Sequence, residues 1–435
     1  MNYGATNRRR ARAPAPSMVA SQPPAAFMPA PPLLPSAFRR LAWSNLCAQF
    51  SEQLALAAAP LVAVLALGAS AAQTGYLQTA QTLPFLLLSL PAGVLADRVA
   101  RRGLMTAAEA LRAAALLGLL ALLWMRALNL AWLAALGFAG AIGTVVYNVA
   151  APALVPTLVP AARLGAANRW LELARSSAFA AGPAVGGALV DALGAPLAYM
   201  LAAALSLLAV MWLASLPASP APAHRRQHPL RELADGARYV ATHALLRPIL
   251  ITAIFFNTAW FILQAIYVAY AIDALALDAA QVGLTLGVYG AGMVAGALAA
   301  PCLARRLPFG GVIAAGPLAA LVAAALMLGT LAWPSGLLAG AAFFLFGAGP
   351  ILWTIATTTL RQAVTPNAML GRVSAIIVTA TFGARPIGAA LGALLAARYG
   401  TAACLWAMAA GFVVQFGVLF SSPVRRLRED GLRLR

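Results

Sequence analysis

The chain has 435 residues, 62% of them hydrophobic and 9% charged, and a mean hydropathy of +0.84. Soluble domains carry roughly 25% charged residues, so this composition excludes a water-soluble protein and points to a chain solvated by lipid. The net charge of +19 rests on 30 arginines and no lysine, set mainly at the ends of apolar runs; that placement is topological and argues against a nucleic-acid partner.

Residues 1–37 are rich in Pro, Ala and Arg, with Arg8, Arg9, Arg10 and Arg12 near the start. They read as a disordered cytoplasmic tail and lack the continuous apolar stretch of a signal peptide. Twelve apolar segments follow, at 41–67, 73–96, 104–125, 130–157, 167–192, 195–216, 247–272, 279–303, 311–332, 335–360, 370–397 and 400–420. Each suffices to cross a hydrocarbon layer about 30 Å thick. The expected fold is an all-α polytopic membrane protein of twelve transmembrane helices. Its parts are the tail 1–37, a six-helix bundle 38–216, a linker 217–246, a second six-helix bundle 247–420 and a basic cytoplasmic tail 421–435.

A charge at the bilayer centre costs about 3 kcal/mol on insertion scales, so each one calls for a role or a partner. In the first helix Asn45, Gln49 and Glu52 share a face at i, i+4, i+7 spacing. Glu52 lies about eleven residues in, roughly 17 Å along the axis at 1.5 Å per residue and therefore near the midplane. It is the leading candidate for proton coupling; the alternative is a structural carboxylate paired with an arginine. Gln78 and Gln81 add polar groups to the second helix. In the third, Glu109 and Arg112 form an i, i+3 pair, read as structural. The fifth carries Glu172 and Arg175 at the same spacing, then Gly182, Pro183, Gly186 and Gly187. Asn257, Trp260, Gln264 and Tyr267 share a face of the seventh helix, and Trp353 and Thr357 stand in the tenth. Arg385, in the middle of the eleventh, has no acid at i±3 or i±4. It takes its partner from another helix, Glu52 being one choice, or from an anionic substrate. Aromatic and amide groups in an apolar cavity suit an amphipathic organic solute.

The linker opens with PASPAPAHRRQHP and continues as a plausible amphipathic surface helix. His224, His228 and His243 lack supporting ligands there, so no metal site is expected. Cys47, Cys302 and Cys404 lie far apart and read as small buried hydrophobes. No cofactor is implied.

If the N-terminus is cytoplasmic, 25 arginines fall inside and only Arg126 and Arg398 outside, which places both termini in the cytoplasm. The halves are related: Gly93 and Gly296, Arg169 and Arg372, and Pro183 and Pro386 are each 203 residues apart. One shared offset on separate helix pairs suggests a duplicated six-helix unit.

At 93–102 the chain reads GVLADRVARR. This resembles the loop between helices 2 and 3 of the major facilitator superfamily, implying two pseudo-symmetric six-helix bundles. The resemblance makes Gly93, Asp97, Arg98, Arg101 and Arg102 a cytoplasmic gate. Its acid meets the N-terminus of helix 11, where Arg372 adds to the attraction. The corresponding position in the second half is Ala300, which implies an asymmetric latch. Gly182-Pro-Ala-Val-Gly-Gly187 resembles the helix 5 signature of drug/proton antiporters, although small residues also mark ordinary packing. In this superfamily helix 5 lines the cavity, which leaves a role open for Arg175, and helices 6, 9 and 12 face lipid. The stretches FRRLAWSNLCAQFSEQLALAAAPLVAVLALGAS, LADGARYVATHALLRPIL and TPNAMLGRVSA look like the enterobactin-exporter-like branch, which includes macrolide and other drug exporters. Ser51-Glu52 stands where that branch often has Gly-Asp.

The expected function is secondary active export of a small organic molecule, drug or siderophore-like, across the bacterial inner membrane by proton antiport. An importer or lipid translocator on the same fold, or a transport-inactive scaffold, are the alternatives. The expected partners are a small-molecule substrate, protons and the bilayer, with the chain a monomer. No GxSxG, HExxH or GxxxxGK[ST] motif occurs, which argues against an enzyme and against ATP-driven pumping.

Overall fold

The computed structural model describes residues 35–96, 98–160, 163–217, 229–366 and 369–427. The expectations for the N-terminal tail to residue 34, for Asp97, for His224 and His228, and for the last eight residues lie outside them. From Pro35 on, the chain is one compact unit.

In hydrocarbon an unsatisfied backbone N–H or C=O costs several kcal/mol, so each apolar run closes its own hydrogen bonds as a helix. The helices are α1 (Ser36–Leu65), α2 (Ala71–Ala96), α3 (Arg101–Trp124), α4 (Leu130–Leu158), α5 (Leu164–Leu193), α6 (Ala195–Ala214), α7 (Pro229–Thr242), α8 (Leu246–Asp273), α9 (Ala279–Arg306), α10 (Phe309–Gly329), α11 (Gly336–Val364) and α12 (Leu370–Phe420). Ten of them are long and apolar enough to cross a membrane. α12 has 51 residues and breaks at Gly400, whose φ of 78° suits a residue without a Cβ. Its parts, 370–399 and 401–420, are two spans. With α2, of spanning length but with a Gln- and Thr-rich first half, the long helices number twelve among the described residues. α1 starts at Ser36, two residues before the expected bundle boundary.

The halves repeat one packing pattern. α1 packs on α5 and α6, α2 on α4, and α3 on α4 and α6. α8 correspondingly packs on α12, α9 on α11, and α10 on α11 and α12. α8 meets both parts of α12, through Gly388 against Thr258 and Gly411 against Ala259. The first bundle buries Leu54, Leu77, Leu116, Leu119 and Tyr199 together. The second has an aromatic core of Trp260, Tyr267, Phe343, Phe346 and Phe412.

Between the bundles, α5 meets α9 and α2 meets α12 and α8. These contacts start at one end and run along α9 as far as Gly290. A Cβ on Gly187 would lie 2.4 Å from the Ala279 carbonyl oxygen and 2.7 Å from Gly283 Cα. A Cβ on Gly75 would lie 2.7 Å from Ala393 Cα. The Thr74 hydroxyl donates to the Ala265 carbonyl at 2.9 Å. Further along α9, Gly290 still touches Phe179 and Ala180, but Gly292 and Gly296 face α11 instead.

At the other end, Arg40 donates to the Ser215 carbonyl and Arg102 to that of Ala214, both at 2.5 Å. Cations thus meet the unpaired carbonyls that end α6. α7 docks on the second bundle. Val240 is buried with Leu246, Val373 and Ile377, Tyr239 donates its hydroxyl to the Val364 carbonyl at 3.0 Å, and Asp235 pairs with Arg372 at 3.7 Å. Residues 421–427, the start of the expected basic tail, pack on α10. Val424 is buried, and the Gly310 N–H donates to the Leu427 carbonyl at 3.0 Å.

Candidate functional site: a cavity between the two bundles

A cavity of about 490 Å³ lies between the bundles, within the size range of small-molecule sites. Of the residues singled out in the sequence, Glu52, Gln78, Gln81, Arg175, Pro183, Asn257, Trp260, Gln264, Trp353 and Arg385 line it. Its wall also holds Arg112, Phe85, Phe179, Phe261, Tyr289 and Thr144, which sequence reasoning did not assign to a site.

Four other candidates lie off the wall. Asn45 and Gln49 are buried, because α5 packs across the early turns of α1; Asn45 Nδ2 lies 3.5 Å from the Leu171 carbonyl. Tyr267 belongs to the aromatic core: its ring is 4.4 Å from that of Phe343 and its hydroxyl donates to Thr285 Oγ1 at 2.5 Å. Thr357, one turn beyond Trp353, donates back to the Trp353 carbonyl at 2.8 Å.

The gate residues are partly described. Gly93 ends open to space, Arg98 is exposed, Arg102 caps α6, and Arg372 pairs with Asp235. In the α5 motif, Gly182 and Gly186 receive Gln53 and Leu54 of α1, while Gly187 receives Ala279 and Gly283 of α9. These glycines let two helices approach on opposite sides.

The charges are arranged in a definite way. Arg112 Nη2 donates to both oxygens of Glu109, at 2.7 and 2.6 Å, and to the Ala48 carbonyl at 2.9 Å. Glu109 is fully buried and also accepts from the Ser206 hydroxyl at 2.5 Å. On the cavity side, Arg112 Nη1 stands 3.7 Å from Glu52 Oε2. One guanidinium therefore serves two carboxylates from different helices, one hidden and one facing the cavity. The i, i+3 reading of Glu109 and Arg112 found the pair but not this third member. Arg175 is bidentate on Glu172, at 3.0 and 2.5 Å. Arg385 has no carboxylate within 4.0 Å among the described residues and is ringed by phenylalanines instead. Glu52 makes no direct ion pair with it and acts on it only through space. Trp260 stacks on Tyr289 at 5.0 Å, giving the cavity a flat aromatic wall.

Comparison with known proteins places this geometry among transporters. The sequence model of the family described as "Transmembrane secretion effector" matches residues 28–433. The enterobactin exporter EntS of Escherichia coli O1:K1 is 31% identical over 305 residues, covering 69% of this chain and 71% of the relative. A bacterial homologue of the iron transporter ferroportin is similar in fold: its inward-facing crystal structure aligns with a TM-score of 0.69 at 17% identity, covering 88% of this chain and 98% of that one. The outward-facing structure of that homologue aligns with a TM-score of 0.60 at 18% identity, over the same shares.

Proposed function

The chain belongs to the transmembrane secretion effector family of the major facilitator superfamily, as an enterobactin-exporter-like, multi-pass secondary transporter of small molecules and not an enzyme, and from that premise we propose that it exports its substrate by proton antiport. The substrate is a small organic molecule, drug or siderophore-like, crossing the bacterial inner membrane. Both termini lie in the cytoplasm, where the arginine-rich loops collect, and the protein works as a monomer.

The observation that carries the proton reading is the shared guanidinium. With both carboxyls ionised, Glu52, Glu109 and Arg112 sum to one negative charge, and a proton on Glu52 makes the set neutral. Glu109 is held by Arg112 and Ser206, whereas Glu52 has, among the described residues, only the longer Arg112 ion pair and stands at the cavity wall. Glu52 is therefore the member that exchanges a proton with the cavity. A charge change there alters the energetics of the surface along which the bundles separate, which is what couples a proton to alternating access.

The seal at Gly187, Gly283, Gly75 and Ala393 lies at the end away from the arginine-rich loops. This is the inward-facing state, and the better alignment to the inward-facing ferroportin homologue supports it. A substrate enters from the cytoplasm and leaves after the bundles rock.

The test is Glu52→Gln in inside-out vesicles. Imposing a pH gradient drives solute uptake by the wild type. The variant, folded and monodisperse, loses gradient-driven uptake by tenfold or more while retaining solute exchange without a gradient. Undiminished gradient-driven uptake in the variant refutes proton coupling through Glu52.

A further inference from the structure

Three arginines stand on the cavity wall, and two of them are neutralised. Arg112 is held by Glu109 and Glu52, and Arg175 by Glu172. Arg385 has no carboxylate partner among the described residues. Its guanidinium carbon lies 4.2 Å from the ring centre of Phe382, 5.4 Å from that of Phe261 and 5.5 Å from that of Phe85.

Each ring face attracts the guanidinium by a cation–π contact. That offsets part of the cost of burying the charge, but a ring face uses none of the planar fork of five N–H donors. Arg385 Nε is buried without an acceptor. The rings thus hold the fork in place and leave its hydrogen-bonding capacity open, beside a flat wall made by Trp260 stacked on Tyr289.

We propose that the cavity selects an organic monoanion with a planar aromatic body, its acidic group seated on the Arg385 fork and its body against Trp260 and Tyr289. The fork matches a carboxylate or sulfonate in two parallel hydrogen bonds. With a proton on Glu52 the cavity charges sum to one positive, at Arg385, and that calls for one negative charge. The cage also straddles the bundle boundary: Phe85 belongs to the first bundle and packs edge-on against Phe382 of the second at 5.6 Å. An anion seated on Arg385 therefore sits where rocking rearranges the cage. This inference rests on the transporter reading above and names its substrate class.

The probes are naphthalene-2-sulfonate and its neutral analogue naphthalene-2-sulfonamide, titrated calorimetrically into the full chain in nanodiscs. The wild type binds the sulfonate about tenfold or more tighter than the sulfonamide, the scale of one charge-assisted hydrogen bond. Arg385→Gln abolishes that preference. Arg385→Lys retains the charge without the fork, reduces the preference several-fold, and serves if the glutamine variant does not fold. Equal affinities in the wild type, no sulfonate binding, or a preference that persists unchanged in either variant overturns the proposal. If the preference fails while vesicles still move a neutral solute on a pH gradient, only the substrate class is wrong. If no solute moves, the transport reading itself falls.

Discussion

Glu109 never touches the cavity, yet it sets the position of the cation that does. Fully buried and bonded to Arg112 and Ser206, it anchors the guanidinium whose other edge faces Glu52. Removing one member of a buried ion pair costs about 3–5 kcal/mol, because an uncompensated charge remains. Arg112→Met leaves two carboxylates without a counter-ion and is expected to lower stability by that amount. Glu109→Gln leaves Arg112 facing Glu52 and costs less. The double variant keeps a single carboxylate at the cavity wall and recovers much of the Arg112→Met loss. Thermal unfolding of the three purified proteins checks this: a double variant whose loss equals the sum of the singles would mean the residues act independently.

At the scale of elements, α7 is the part that no bilayer argument explains. It has fourteen residues and rests on α12 and α11 through Val240, Tyr239 and Asp235. Gly236 permits the approach: a Cβ there would lie 3.0 Å from the Arg372 carbonyl oxygen. Gly236→Leu forces the helix away, and trypsin then cleaves after Arg238 several-fold faster than in the wild type. Unchanged cleavage would show that α7 accommodates the side chain in place. The spanning helices were legible in the sequence because only uninterrupted apolar runs survive in lipid, and their ends fall within a few residues of the apolar segments. The cavity was half legible. Glu52, Arg385, Gln81 and Asn257 stand out because a polar group in an apolar helix is costly, but helical spacing cannot say which neighbour covers a face. Asn45 and Gln49 share the face of Glu52 and are nevertheless covered by other helices. Arg112 was hidden by its near partner, since i, i+3 spacing explains Glu109 and conceals Glu52 on another helix. The phenylalanines around Arg385 carry no signal at all among 17 in so apolar a chain.

For the whole molecule, the decisive feature is that two bundles with matching internal packing meet through glycine contacts along one half of α9, from its first turns to Gly290. Alternating access by rocking requires that seal to break in every cycle. Gly187 and Gly283 face each other across it, with a Cβ on the first only 2.7 Å from Cα of the second. In a background lacking Cys47, Cys302 and Cys404, cysteines at these two positions are expected to oxidise to a disulfide once α5 and α9 shift apart enough to admit their Cβ atoms. The bond holds α5 against α9 and traps the cavity open toward the other end. Oxidation is expected to stop vesicle transport almost completely and reduction to restore it, while solute binding from the open side persists in both forms. The single-cysteine variants control for the added bulk, which itself opposes closure and is expected to slow transport without any response to oxidant. Full transport by the oxidised double variant would rule out separation of α5 and α9 as a step of the cycle. The substrate would then have to leave by a path that does not part the bundles at this seam.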